Sequence, residues 1–424
     1  MRDDQRPVRQ RRVFHIPGYD PIHPRRYREL YRTEGAKQAE IGGYEIAVKA
    51  AQSEDTFRWA VKTRIDGVET VARIDVLVWS DIVRKSMAQT IPATYWQLLR
   101  TAWIYIATGT LRRLMWMRKG PVIAALYPVF MLLGQLLIAI VLGLYLGGWA
   151  EAGVLWFQRL FGLTDGFFFA LFGWIGFALK CAILLGMVLT LLHWFKSKDS
   201  RLYAYYLMHD YAFSAGKWGA TPPELQARMD LFAETIAAAL SSDVDEVLVV
   251  GHSSGAHLAI AVVADLIREG RVPTDGPRLA LLTLGQVVPM VSFLPDAREL
   301  RRDLAFLAGQ DRVAWVDVSA PGDGCSFALC DPVAVTGVTP PGKKWPLILS
   351  ASFTQTLKPE TWRKLRWRFF RLHFQYLCAF DQPKDYDYFQ ITAGPVSLAE
   401  RYRGRAPSKS RIDVPASKYT SLAP

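Results

Sequence analysis

Cysteine is scarce in this chain, with four in 424 residues: Cys181, Cys325, Cys330 and Cys378. So few exclude a disulfide framework. Cys325 and Cys330 stand too far apart for a CxxC pair, and no histidine spacing accompanies them that would suit zinc. Four reduced thiols fit a cytoplasmic location. Glycine and proline, at 31 and 24, are not abundant enough for a collagen-like or linker-dominated chain. Acidic residues are in deficit, 39 against 51 Lys and Arg, which leaves a formal charge of +12. That surplus favours an anionic partner, either nucleic acid or the anionic face of a membrane.

Charge is missing altogether from Gly120 to Ala150, a run of 31 residues. A bilayer span needs about 20 apolar residues. A second run, Gly166 to Phe195, is broken only by Lys180. Few soluble helices stay apolar all round for so long, so 120–195 reads as a two-helix transmembrane hairpin. Five Arg between Met1 and Arg12, with no apolar stretch behind them, read against a signal peptide. Arg112, Arg113, Arg118 and Lys119 precede the first span, and Lys196, Lys198 and Arg201 follow the second. The loop Glu151–Asp165 has only Arg159. The positive-inside bias then puts both termini in the cytoplasm and this loop outside, with Trp156, Phe157, Leu160 and Phe161 in the outer interface. Lys180 is expected to snorkel to that interface, a buried functional lysine being the sharper alternative. Trp96–Met117 mixes aromatic and aliphatic residues with Arg100, Arg112 and Arg113. It reads as a helix lying on the inner membrane surface, within a juxtamembrane segment 93–119.

The flanks, 1–92 and 196–400, carry alternating strand and helix signals. Arg12–Ile16, Tyr44–Lys49, Thr56–Arg64 and Val71–Trp79 read as strands, and 25–38 as a helix. Pro222–Leu240 has an apolar helical stripe. Val247–Val250, Leu279–Leu284 and Val313–Val318 are short apolar runs of the kind a parallel sheet buries on both faces. Strands alternating with helices indicate an α/β fold with a mainly parallel sheet, here split by the hairpin. The basic, Pro- and Ser-containing segment 401–424 reads as disordered.

Gly251-His252-Ser253-Ser254-Gly255 matches G-x-S-x-G. The pattern alone is weak, but a strand reading enters it and a helix reading, Ser254–Arg268, leaves it. That setting lifts a serine clear of a sheet at a sharp turn, beside the N–H groups of a helix start. With these residues the chain resembles the α/β-hydrolase superfamily, in particular its lipases and esterases. The resemblance implies an α/β-hydrolase-like sheet and a catalytic triad in the order Ser, Asp or Glu, His. Of seven histidines only His257 and His373 follow Ser253. His257 lies in the helix of the motif and reads as a packing residue, which leaves His373 as the base. The acid is expected in the loop after the strand at 313–318. Asp323 sits where the superfamily places it, with Asp317 and Asp331 as alternatives. An oxyanion hole needs one N–H from Ser254 and one from the loop after an early strand. His15-Ile16-Pro17-Gly18-Tyr19-Asp20 resembles the His-Gly segment of lipases. Gly18 would admit the substrate, the N–H of Tyr19 would donate, and His15 would brace the loop. That strand comes almost first in the chain, so a reduced sheet is expected.

The mechanism so implied needs no metal and no cofactor. Ser253 attacks an acyl carbonyl with His373 as base, and water releases the acyl group. Trp362 to Phe374 alternates Arg and Lys with aromatic rings and runs into His373. With two spans in the same chain, an anionic leaflet is the expected partner of this segment rather than nucleic acid. The expected protein is therefore a membrane-anchored serine hydrolase acting on an acyl ester, with a membrane-borne ester as one candidate substrate. The alternative from another class is a non-catalytic membrane scaffold that keeps the fold.

Overall fold

The computed structural model describes residues 6–50, 57–87, 90–163 and 165–423. Thr56, at the start of one expected strand, and Thr164, in the expected outer loop, lie outside them. The chain forms two units, one of 1–86, 103–124 and 214–424, the other of 87–102 and 125–213.

The larger unit is built on one sheet of eight strands in the order β2-β3-β4-β1-β5-β6-β7-β8. The strands are β1 Gln10–Ile16, β2 Glu45–Ala50, β3 Arg58–Ile65, β4 Val68–Val76, β5 Glu246–His252, β6 Arg278–Leu284, β7 Val313–Ser319 and β8 Leu347–Ser350. From β4 to β8 every neighbouring pair is parallel. β3 runs antiparallel to both β2 and β4. Burial explains the sequence patterns. Every residue of β5 and β7 is buried, so neither strand alternates. β3 and β4 have a solvated face and do alternate. The helix Gly255–Arg268 packs on β5 and against the helices Pro223–Leu240 and Arg298–Ala308.

Two expectations need correcting here, and one strand was not foreseen. The sheet is not reduced: β2, β3 and β4 follow β1 in the chain yet extend the sheet on its far side. β8 had no sequence signal because four residues are too few to show a period. Segment 401–424 is not a disordered tail. The Asp331 N–H donates to the Ile412 carbonyl at 2.9 Å, Ser408 N–H to Ile348 at 2.8 Å and Ala416 N–H to Val335 at 2.9 Å. Backbone pairing of this kind needs no apolar side chains, which is why composition concealed it.

A buried ion pair ties the middle of the sheet to a later segment. Arg11 Nε on β1 lies 2.6 Å from Glu246 Oε2 on β5, with both side chains almost fully enclosed. The guanidinium also donates to the carbonyls of Gly394 and Val396, and Glu246 accepts from the Leu398 N–H.

The smaller unit contains two helices long and apolar enough to cross a membrane, Lys119–Leu160 (from residue 125 on) and Gly166–Ser197. The first does not end where its first carboxylate appears, as the sequence suggested. Glu151 stays helical because Lys180 of the second helix meets it at 2.9 Å. Lys180 is thus an ion-pair partner. The expected surface helix over 96–117 is two helices, Ile91–Ala107 and Thr110–Met117. Gly109, at a left-handed φ of 73°, ends the first of them. Tyr95, in the part belonging to the smaller unit, donates its hydroxyl to the Leu132 carbonyl at 2.7 Å.

Candidate active site

β5 delivers the chain to Ser253 in the left-handed region, at φ 58°. A non-glycine residue is strained there, and such strain persists only where the surroundings impose it. The Ser253 N–H is held by the Leu284 carbonyl at 2.9 Å. Ser254 follows as the N-cap residue of the helix Gly255–Arg268. The chain leaving β1 crosses directly over this helix start. A Cβ on Gly255 would lie 2.2 Å from the Ile16 carbonyl oxygen, so only glycine fits. A Cβ on Gly18 would lie 3.0 Å from Ser253 Cβ and 3.4 Å from its Oγ. The sequence-expected loop therefore does reach the serine.

That loop is braced by residues from neighbouring segments. Trp79 Nε1 donates to the Pro17 carbonyl at 2.9 Å. Tyr19 is buried, its hydroxyl 2.6 Å from Ser86 Oγ. Asp20 accepts from the Tyr27 hydroxyl at 2.7 Å and from the Ile22 N–H at 3.0 Å. The His15 carbonyl accepts from the Leu77 N–H at 2.9 Å, and its ring packs against Tyr27 at 5.1 Å between centroids. Both ring nitrogens of His15 are buried without a hydrogen-bond partner among the described residues. They line a small cavity with Tyr27, Tyr31 and Trp59. Burial pushes the His15 pKa down to about 3, so the ring is neutral.

His373 closes the short helix Phe369–His373, and Asp323 sits in the loop after β7. Its Nδ1 lies 2.7 Å from Asp323 Oδ2, and both side chains are buried. The same Oδ2 accepts from the Tyr376 hydroxyl at 3.0 Å, while Oδ1 accepts from the Cys325 N–H at 2.9 Å. Burial alone would raise the Asp323 pKa. The charge and hydrogen bond of His373, with the other donors, outweigh it and hold the carboxyl below its ordinary value. A carboxylate so placed keeps one imidazole tautomer, with Nδ1 protonated and Nε2 the available base.

His373 also lies beside the end of β5. Its carbonyl is 3.0 Å from His252 Nε2, and the two rings are 4.8 Å apart. A Cβ on Gly285, next to the Leu284 that holds Ser253, would come within 3.2 Å of His373 Cε1. His252 is a site residue that sequence reasoning missed, although it stands inside the motif. Burial lowers its pKa well below the usual value. A neutral ring facing a carbonyl must carry its proton on Nε2.

The alternative acids are occupied elsewhere. Asp317 lies within β7, where its Oδ2 accepts from Thr283 Oγ1 at 2.7 Å. Asp331 caps the helix Pro332–Thr336 by accepting from the Val333 and Ala334 N–H groups, and it pairs with Lys343. His257 is half-buried on the elbow helix. Asp323, Cys325 and His373 offer three atoms within 4.8 Å of one another that could ligate a metal ion. In the structure His373 Nδ1 and Asp323 Oδ2 are already engaged with each other.

No family model matches the chain, and no curated protein and no solved structure matches it.

Proposed function

We propose that this chain is a membrane-anchored serine hydrolase of the α/β-hydrolase kind that cleaves an acyl ester. One observation carries the reading: a serine at positive φ between a buried parallel strand and a helix, with a buried carboxylate–imidazole pair set against His252 at the end of that same strand. In chain order these are Ser253, Asp323 and His373. The loop at Gly18, close to Ser253 Oγ, supports the Tyr19 and Ser254 N–H groups as the oxyanion hole.

In this reading Ser253 Oγ gives its proton to His373 Nε2 and bonds to the acyl carbon. The carbonyl electron pair moves onto the oxygen, where the two N–H groups stabilise it. The tetrahedral species collapses, and His373 returns the proton to the departing alcohol. Water, deprotonated by His373, then attacks the acyl-serine, and the acid leaves as Ser253 regains its proton. Asp323 stabilises the imidazolium formed in both halves. No step draws on a metal or a cofactor.

The hairpin reads as an insertion between β4 and β5 that anchors the enzyme. β1 and β5 are direct neighbours in one sheet, which supports both flanks lying on one side of any membrane the helices cross. The charge bias makes that side the cytoplasm. The test is a fluorophosphonate probe on the purified full chain. Labelling that maps to Ser253 and disappears in Ser253→Ala supports the enzyme. Absence of labelling on correctly folded protein favours a scaffold.

A further inference from the structure

The knuckle joining the short helices Pro359–Leu365 and Phe369–His373 turns large rings outward. Trp367 is 71% exposed and Phe369 46%, with their rings edge-on at 6.4 Å. The Arg366 guanidinium lies over the Trp367 ring at 5.5 Å. Lys364, Arg366, Arg368 and Arg371 are all exposed. Among the described residues no ion pair engages any of these four, and Arg363 alone reaches a carboxylate, Glu360 at 3.8 Å. Exposed rings and unpaired like charges are each unfavourable in water. A surface offering apolar depth and negative charge together relieves both, as an anionic leaflet does. Nucleic acid could accept rings and charge too, but this chain also carries two helices fit to cross a membrane.

The position of the knuckle points the same way. Gly324 directly follows Asp323. A Cβ on Gly324 would lie 3.4 Å from the Phe369 ring, and one on Gly120 would lie 3.8 Å from Gly324 Cα. Gly120 is the second residue of the apolar helix Lys119–Leu160. The loop after β7 thus touches both the knuckle and the first turn of the helix Lys119–Leu160. Trp362 closes the same loop, pressing on Gly322.

We propose that the Arg366-Trp367-Arg368-Phe369 knuckle docks on the anionic leaflet that this helix enters, and that the substrate is an acyl ester held in that leaflet. The substrate part rests on the serine-hydrolase reading. The docking part does not.

The test uses the full chain in nanodiscs of phosphatidylcholine alone or with phosphatidylglycerol. Hydrogen exchange across residues 362–372 should slow several-fold in the anionic discs only. The difference should vanish in Arg366→Gln/Trp367→Ala/Arg368→Gln. Equal exchange in both lipids, or protection by an added RNA oligonucleotide in place of anionic lipid, overturns the docking. With a long-chain ester dissolved in the disc, the triple variant should lose roughly tenfold in turnover. A short water-soluble ester should be cleaved as by the parent. Equal loss on both esters overturns the leaflet substrate. If neither ester is cleaved by the parent and Ser253 takes no probe, the hydrolase reading fails, while the exchange experiment still decides the docking.

Discussion

Asp323 Oδ2 serves two donors at once, His373 Nδ1 at 2.7 Å and the Tyr376 hydroxyl at 3.0 Å. Tyr376 in turn accepts from the Ala320 N–H at 2.9 Å, so the loop after β7 and the Asp323–His373 pair are fastened through one phenol. Asp323→Asn should therefore cost about 10³–10⁴ in kcat, by allowing the wrong tautomer. Tyr376→Phe should cost about tenfold or less, the worth of one hydrogen bond. Asp317→Asn and Asp331→Asn should leave kcat within a few-fold. Ester turnover by the purified variants checks the order, and an Asp331→Asn variant slower than Asp323→Asn would reassign the acid.

Ser253 is strained, and the strain is separable from the chemistry. Ser253→Gly should abolish turnover yet stabilise the fold by about 1 kcal/mol, because glycine carries no penalty at φ 58°. Ser253→Ala should be equally inactive without that gain. Thermal unfolding of the two variants in one detergent gives the comparison, and equal midpoints would mean that no strain is stored there.

His15 makes acid stability predictable in sign. Unfolded, its imidazole takes up a proton below about pH 6.5, whereas in the fold it resists until about pH 3. The unfolded state thus binds more protons across that window, and stability falls as pH drops through it. With no hydrogen bond to lose, His15→Leu should flatten this slope. Denaturation midpoints at pH 7 and pH 4.5 for both proteins would show it, and parallel slopes would rule out His15 as a source.

Arg11→Met removes one partner of a pair enclosed between β1 and β5. Glu246 would be left charged and buried, at a cost of about 3–5 kcal/mol. Arg11→Met/Glu246→Leu should recover much of that loss. Chemical denaturation of the single and double variants is the measurement, and a double variant no better than the single would show that the remaining contacts, not the stranded carboxylate, set the cost.

The sidedness of the chain is open to direct test. In a background without the native cysteines, positions near Arg6 and Ser408 should be shielded from impermeant thiol reagents in intact cells. A cysteine near Thr164 should react. Ends found on opposite sides would break the shared sheet, and with it the role given to Tyr19.

Periodicity and composition made much of this architecture legible. β5, β6 and β7 announced themselves as apolar runs because both faces of each are covered. The meeting of Asp323 with His373 was legible only through chain order, since 50 residues separate them. Contacts made by backbone or by neighbouring rings left no trace in composition. His252 against the His373 carbonyl is one such case, and the paired segment around Ile412 is another. Glu151 was misread as a helix stop because the Lys180 that offsets it lies 29 residues away.

The adjacency of β1 and β5 has a temporal side. Arg11 and Glu246 are separated by 235 residues of chain. At roughly 5–20 residues per second, β1 leaves the ribosome about 10–50 s before its inner neighbour exists. Through that interval β4 can cover one edge of β1, while the other edge, the one destined for β5, stays open. Both apolar helices are synthesised in the same interval. Synthesis of both helices thus precedes closure of the sheet, and a delay before β5 arrives would leave an unpaired Val13-Phe14-His15-Ile16 edge open to self-association.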